Sequence, residues 1–94
     1  MTKPMLYVDF NEMLEPDLAL LSTSDTKTAS NGALVTLEAG QEVTVYMDDI
    51  DEHGNSDNLV ATGIVEANKT GGWGTHVKWC CRIDANGILH QSKR

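Results

Sequence analysis

The chain has two cysteines, and they are neighbours, Cys80 and Cys81, in the segment HVKWCCRID of residues 76–84. A disulfide between them is not expected, because consecutive Cα atoms lie about 3.8 Å apart across a trans peptide, whereas disulfide-bonded residues need roughly 4.4 to 6.8 Å. Apolar and polar residues alternate along the segment, which predicts a strand whose successive side chains point to opposite faces. Cys81 is then buried and Cys80 faces solvent. The predicted core column comprises Val77, Trp79, Cys81 and Ile83.

An exposed Cys80 is the candidate for thiol chemistry. Lys78 and Arg82 share its face of the strand at about 7 Å on either side, and positive neighbours favour the reactive thiolate. His76 is about 13 Å away along the strand, too far to act as a general base. A redox or thiol function at Cys80 is therefore kept as an alternative, and an exposed cysteine without a chemical role is the favoured interpretation.

The segment DDIDEHGNSDN, residues 48–58, concentrates negative charge in what its composition predicts to be a surface loop. A dense group of carboxylates can attract a basic partner at long range and orient it during association. The predicted function is accordingly that of a non-enzymatic small binding or regulatory domain, which contacts another protein with a basic surface through this loop. The predicted partner-binding residues are Asp48, Asp49, Asp51, Glu52 and Asp57.

The same loop partly matches a calcium-binding template. Asp49, Asp51 and Asp57 take three ligand positions of an EF-hand loop, and Gly54 takes the glycine position. The fifth position holds His53, a poor ligand for a hard cation, and the twelfth lacks the bidentate carboxylate that closes the shell. The flanking segments also resemble strands rather than helices. No bound metal is therefore predicted, and a solvated turn is preferred to a calcium site.

A second possible contact face combines one aromatic residue, Trp73, with two cations, Lys78 and Arg82. Such a face can stack on bases and contact phosphates, as in proteins that bind single strands. The formal net charge of −7 argues against it, because phosphate contacts supply most nucleic-acid affinity. Residues 1–66 hold thirteen acidic and two basic residues, and residues 67–94 hold one acidic and five basic ones. Single-stranded nucleic-acid binding is thus the alternative to protein binding.

The usual signatures of enzymes are absent from the sequence. It contains no G-x-x-x-x-G-K-[ST], H-E-x-x-H, G-x-S-x-G or paired C-x-x-C motif, which hold phosphate, zinc or an acyl-transfer nucleophile. The three histidines are spread over a loop, a strand and the tail, so their spacing nominates no acid and base pair. No enzymatic activity and no cofactor are therefore predicted.

Short alternating segments predict the elements in the first third of the chain. Strands are predicted at residues 5–10 and at 18–23, separated by a turn at Glu15 and Pro16, because proline is unfavourable inside a helix. The polar segment 24–32, SDTKTASNG, is predicted to be a loop.

The remaining strands are predicted to follow one another as a meander. Residues 33–38 and 42–48 are read as consecutive paired strands joined by three residues. Residues 58–68 form a further strand, where the central Gly63 is typical of a bulge or a bend. A turn at residues 84–87 then leads the chain back as a hairpin over the strand that holds both cysteines.

Six or seven short strands in one small chain favour an all-β sandwich or barrel. The specific prediction is a single domain, residues 1–94, folded as a small antiparallel SH3-like barrel, with an OB-like barrel as the alternative. No apolar run reaches the roughly 18 residues of a membrane span, and the N-terminal segment lacks the apolar stretch of a secretory signal. A cytoplasmic location is predicted, and the oligomeric state is left open.

Overall fold

The computed structural model describes residues 5–69 and 77–93, and within them the regular structure is β-strand apart from one short 3-10 helix. The strands are short, and only β7 reaches nine residues. The prediction of an all-β chain is thus confirmed. The elements are β1 Met5–Tyr7, β2 Met13–Glu15, β3 Leu18–Ser22, β4 Thr26–Thr28, β5 Leu34–Thr36, β6 Glu42–Met47, β7 Leu59–Ala67, β8 Trp79–Ile83, β9 Leu89–His90 and the 3-10 helix Gln91–Lys93.

Seven strands form one sheet, in the order β1-β6-β7-β8-β3-β2, with β9 also paired to β7. β7 is long enough to bond β6 along one edge and both β8 and β9 along the other. β1 runs parallel to β6, and the other described strand pairs are antiparallel. β7 is thus the strand around which the fold is organised.

The sheet is open, so the prediction of a closed barrel is wrong, and neither the SH3-like nor the OB-like form is confirmed. Closure requires hydrogen bonds between the two outermost strands of the sheet, which are β1 and β2, and these do not pair in the part of the chain that the structure describes. Each of them has only three residues. β4 and β5, instead of extending the sheet, form a separate two-stranded hairpin.

The main core joins this hairpin to the large sheet. Ala29 and Leu37, which flank the hairpin strands, are buried in the same apolar cluster as Leu6 of β1 and Val45 of β6. Val35 of β5 packs against the cluster. Burial of each valine or leucine side chain stabilises a fold by roughly 1.5 to 3 kcal/mol, so this shared cluster holds the two sheets together.

β8 confirms the predicted alternation and corrects its interpretation. Cys81 lies in the main core, as predicted. Cys80 was predicted to face solvent, but it is fully buried, with 0% of its surface exposed. The face of β8 that carries Cys80 is covered by apolar side chains. Leu18 and Leu20 of the adjacent β3, together with Val77, form a second apolar cluster around the thiol.

The rest of the predicted core column divides between the two clusters. Ile83 is buried in the main core, and Trp79 is half-buried against it. Val77 is buried, but it belongs to the second cluster with Cys80. The pairing of β3 with β8 shifts by one residue between Leu20 and Ser22, so simple alternation does not continue past the start of β8.

Gly63 marks a close approach of two strands rather than a bulge. β7 keeps a regular register with β6 on both sides of this residue, and its regular register with β8 begins at Gly63. A Cβ atom at Gly63 would overlap the carbonyl oxygen of Arg82 and would lie 2.6 Å from the Sγ atom of Cys81. Glycine is therefore needed here because β7 and β8 leave no room for a side chain.

Three of the predicted connections are wrong. The segment 24–32 is not only a loop, because it contains β4. β5 pairs with β4 instead of forming a meander with β6. β9 does not fold back on β8, but continues in the same direction to pair with Leu59 and Val60 of β7. In each case the local pattern indicated an element, and a more distant strand determined its partner.

The described segments contain no helix with the length and hydropathy that crossing a membrane requires.

Candidate functional site

The acidic segment forms an ordered hairpin at the end of the large sheet. Ile50 and Ser56 form an antiparallel bridge. The backbone N–H of Asp51 donates to the carbonyl of Asn55 at 2.8 Å, and the N–H of Asp57 donates to the carbonyl of Asp49 at 3.0 Å. We call residues 48–58 the acidic hairpin. Its backbone bonds give it one defined shape.

Asp51 stabilises the tip of the acidic hairpin. Its Oδ1 atom accepts hydrogen bonds from the backbone N–H groups of His53, at 2.8 Å, and Asn55, at 2.9 Å. Aspartate commonly organises turns in this way. Gly54 has a φ of 81°, a left-handed conformation that glycine adopts without steric cost. The Asp51 carboxylate is therefore a structural part of the turn.

The C-terminal segment fastens the base of the acidic hairpin. His90 Nε2 lies 2.9 Å from Asp49 Oδ2. Asp57 accepts from the backbone N–H of Ser92, at 3.0 Å, and from its hydroxyl, at 2.8 Å. The hydrogen bond from His90, aided by the backbone N–H of Ile50, lowers the pKa of Asp49 below its ordinary value. Two of the predicted partner-binding carboxylates are thus engaged within the chain.

Two carboxylates and one apolar side chain of the acidic hairpin are among its solvent-exposed groups. Asp48 and Glu52 are exposed, and the nearest charged neighbour of Glu52 is the exposed imidazole of His53 at 3.5 Å. Ile50 has 66% of its surface exposed. The outer surface of the hairpin therefore combines an apolar side chain with two free carboxylates.

The partial calcium template is not assembled into a cation site. Asp49 binds His90, Asp51 binds its own turn, and Asp57 binds Ser92. Across residues 5–69 and 77–93, no three His, Cys, Asp or Glu side chains converge in a way that could hold a metal ion. These three carboxylates serve the chain itself.

The predicted nucleic-acid face has its cations engaged by acids. Lys78 Nζ lies 2.6 Å from Asp25 Oδ1, and the indole N–H of Trp79 donates to the same carboxylate at 3.0 Å. These two hydrogen bonds lower the pKa of Asp25, that from Lys78 most strongly. Trp73, the aromatic member of the face, lies outside the described residues, as does His76. Neither Lys78 nor Arg82 presents a free positive charge to phosphate.

Arg82 is surrounded by carboxylates from three elements. Its guanidinium lies 2.8 Å from Asp17, 2.9 Å from Glu66 and 3.3 Å from Glu15. These hydrogen bonds, above all that to Glu66, raise the pKa of Arg82, so it stays charged at every accessible pH. The ion pairs connect β8 to β7 and to the turn between β2 and β3. Their role is to join these elements.

Replacing Arg82 with methionine is expected to lower the free energy of unfolding by about 1 to 2 kcal/mol, because three carboxylates lose their shared cation. The expected loss is modest because 35% of the Arg82 side chain is exposed and solvent screens its ion pairs. The matched change Lys78→Met removes one exposed pair and is expected to cost less, because solvent screens that pair. Urea unfolding at low and high salt measures both. Equal losses would contradict the structural role of Arg82.

The buried Cys80 is poorly placed for thiol chemistry. Desolvation, and to a smaller extent Glu66, raises the pKa of its thiol, while Arg82 acts in the opposite direction. A higher pKa leaves less thiolate at neutral pH, and the thiolate is the reactive form. A reagent can reach Cys80 only after the second apolar cluster opens.

Two features of the molecule were missed by sequence reasoning. The contact of His90 with Asp49 depends on β9 pairing with β7, and the local sequence carries no signal for that choice. Lys27 lies on β4, inside the segment that was predicted to be a loop. The run Thr26–Thr28 did carry a signal, because threonine favours strands.

Comparisons of the chain with protein-family models, with curated proteins and with solved structures give no match. The fold and the site together define an all-β domain with an open sheet and an ordered acidic hairpin. Its function is therefore argued from the geometry of that hairpin.

Proposed function

We propose that this chain is a non-enzymatic protein-binding domain, and that its contact surface is the acidic hairpin, residues 48–58. The partner is a protein with a basic surface. The observation that carries the proposal is the combination of an internally fastened hairpin with an exposed Ile50 between exposed carboxylates. An ordered loop loses little conformational entropy on binding, which favours affinity.

The acidic residues of the hairpin have two different roles in this proposal. Asp49, Asp51 and Asp57 hold its shape through hydrogen bonds within the chain. Asp48 and Glu52 supply the charge that attracts and orients a basic partner. Ile50 supplies apolar area at the centre of the contact, where interfaces gain most of their binding energy.

The experiment compares hairpin variants with controls matched in residue type and exposure. Glu52→Lys is paired with Glu38→Lys, since both glutamates are exposed. Ile50→Ala is paired with Leu34→Ala, since 66% and 69% of these side chains are exposed. Each variant is immobilised, proteins are captured from a lysate of the source cells, and association rates are measured with the captured protein.

We expect the parent and both control variants to retain a protein that the two hairpin variants lose. Glu52→Lys should slow association about tenfold at low salt, and less at high salt because ions screen the attraction. Ile50→Ala should accelerate dissociation instead. Retention of the same proteins at the same rates by all five chains would remove the acidic hairpin as the contact surface.

A further inference from the structure

The strongest observation outside the acidic hairpin is a lysine on the inner face of the β4–β5 hairpin. Lys27 pairs directly with Val35, and residues directly opposite each other in a strand pair share one face of the sheet. Val35 packs against the main core. The neighbouring pair, Thr28 with Leu34, lies on the other face, and 69% of Leu34 is exposed. Lys27 therefore points toward the large sheet.

The ammonium group of Lys27 makes no direct ion pair with the described residues. The side chain is half-buried, and this burial lowers its pKa. Among the residues that the structure describes, none forms an ion pair or a hydrogen bond with it. Partial removal of a charge from water without a direct partner is unfavourable, so an anionic group that reached Lys27 would gain a favourable contact.

Lys27 opens into a groove of about 320 Å³. The groove shares no residue with the acidic hairpin. Its lining includes the apolar residues Val8, Leu21 and Val77 and the acidic residues Asp9 and Glu12. Asp9 Oδ1 also accepts a hydrogen bond from the backbone N–H of Asn11, at 2.9 Å. This volume suits a small molecule of amino-acid size.

We propose that this groove binds a small zwitterion, an α-amino acid with an apolar side chain, whose carboxylate pairs with Lys27 and whose ammonium group faces Asp9 and Glu12. One cation and two carboxylates leave the groove with an excess of negative charge, which disfavours a dianion such as phosphate. An amine without a carboxylate would leave Lys27 unpaired. A zwitterion complements both kinds of charge, and leucine has the matching size.

An inward-pointing lysine on a short strand can also serve to prevent association of exposed sheet edges. That role needs no ligand, and it makes a different prediction. A purely protective Lys27 gives no saturable response to a small molecule, and its loss promotes self-association of the chain.

The test uses three probes of one shape: L-leucine, 4-methylpentanoate, which lacks the ammonium group, and isopentylamine, which lacks the carboxylate. Binding is followed by NMR through the ε-methylene resonance of Lys27 and by calorimetry. The variants are Lys27→Met and Glu12→Gln, with Lys69→Met as a control because Lys69 is exposed and does not line this groove. Sedimentation of each chain reports self-association.

Leucine is expected to shift the Lys27 resonance saturably and to bind more tightly than either single-charge probe. Lys27→Met should weaken leucine binding about tenfold or more, the effect of one charge-assisted hydrogen bond, while Lys69→Met leaves it unchanged. Removing an unpaired charge should not impair folding, so Lys27→Met remains testable. The proposal is overturned if leucine gives no shift, if a single-charge probe binds equally well, or if Lys27→Met binds leucine like the parent.

Discussion

Replacing Gly63 with alanine is expected to destabilise the fold by about 3 kcal/mol. The added Cβ would overlap the backbone of Arg82 and would lie 2.6 Å from the Sγ atom of Cys81, so β7 and β8 would have to separate. These strands lie at the centre of the large sheet, and a shift there disturbs both apolar clusters. The loss is a large part of the free energy of unfolding of a small domain, which is typically roughly 5 to 15 kcal/mol.

Urea or thermal unfolding measures this effect, and Gly40→Ala is the control. A Cβ at Gly40 meets nothing within 4 Å, but its φ of 89° is unfavourable for alanine. That substitution should cost only about 1 kcal/mol, from backbone strain alone. If the two variants lose the same stability, the close approach of β7 and β8 is not the reason for glycine at position 63.

Raising the pH above about 9 is expected to destabilise the parent protein steeply through Cys81. Burial, and more weakly the neighbouring Cys80, raises the pKa of the Cys81 thiol from 9.0 to about 12. Between these values the unfolded chain releases the proton while the folded chain keeps it. The free energy of unfolding therefore falls by about 1.4 kcal/mol for each pH unit in this window, and this contribution is fully present below pH 9.

The measurement is urea unfolding at several pH values between about 8 and 11, for the parent and for Cys81→Ala. The variant is expected to be less stable at neutral pH, because alanine leaves a small cavity. Its free energy of unfolding should nevertheless decline less steeply with pH than that of the parent. The two slopes should differ by about 1.4 kcal/mol per pH unit in this window. The other ionisable groups are the same in both chains, so their contributions cancel in the comparison. Parallel pH profiles would show that Cys81 is not protected from deprotonation.

Several local features of this protein were predictable from the sequence. The alternation in residues 77–83 indicated β8 and a buried Cys81, and the proline at position 16 indicated the turn between β2 and β3. The concentration of acids in residues 48–58 indicated an exposed turn between two strands. These features depend on side-chain periodicity and on backbone preferences, which act over a few neighbouring residues.

The pairing of the strands could not be predicted in the same way. β5 leaves its neighbour in sequence to pair with β4, and β9 pairs with β7 instead of β8. Hydrogen bonds between strands are alike for most sequences, so they carry little information about which strands meet. The burial of side chains over the whole chain makes that choice, and it also left the sheet open between β1 and β2.

The amino-acid sequence alone determined that the chain is all-β, that Cys81 is buried and that charge gathers in residues 48–58, because periodicity and composition are local properties. Only the tertiary structure decided that Cys80 is buried, that Asp49 meets His90, and that Lys27 faces a groove. An alternating pattern indicates that a strand has two faces, but it does not indicate which residues cover the second face. That depends on residues distant in sequence, which packing alone brings together.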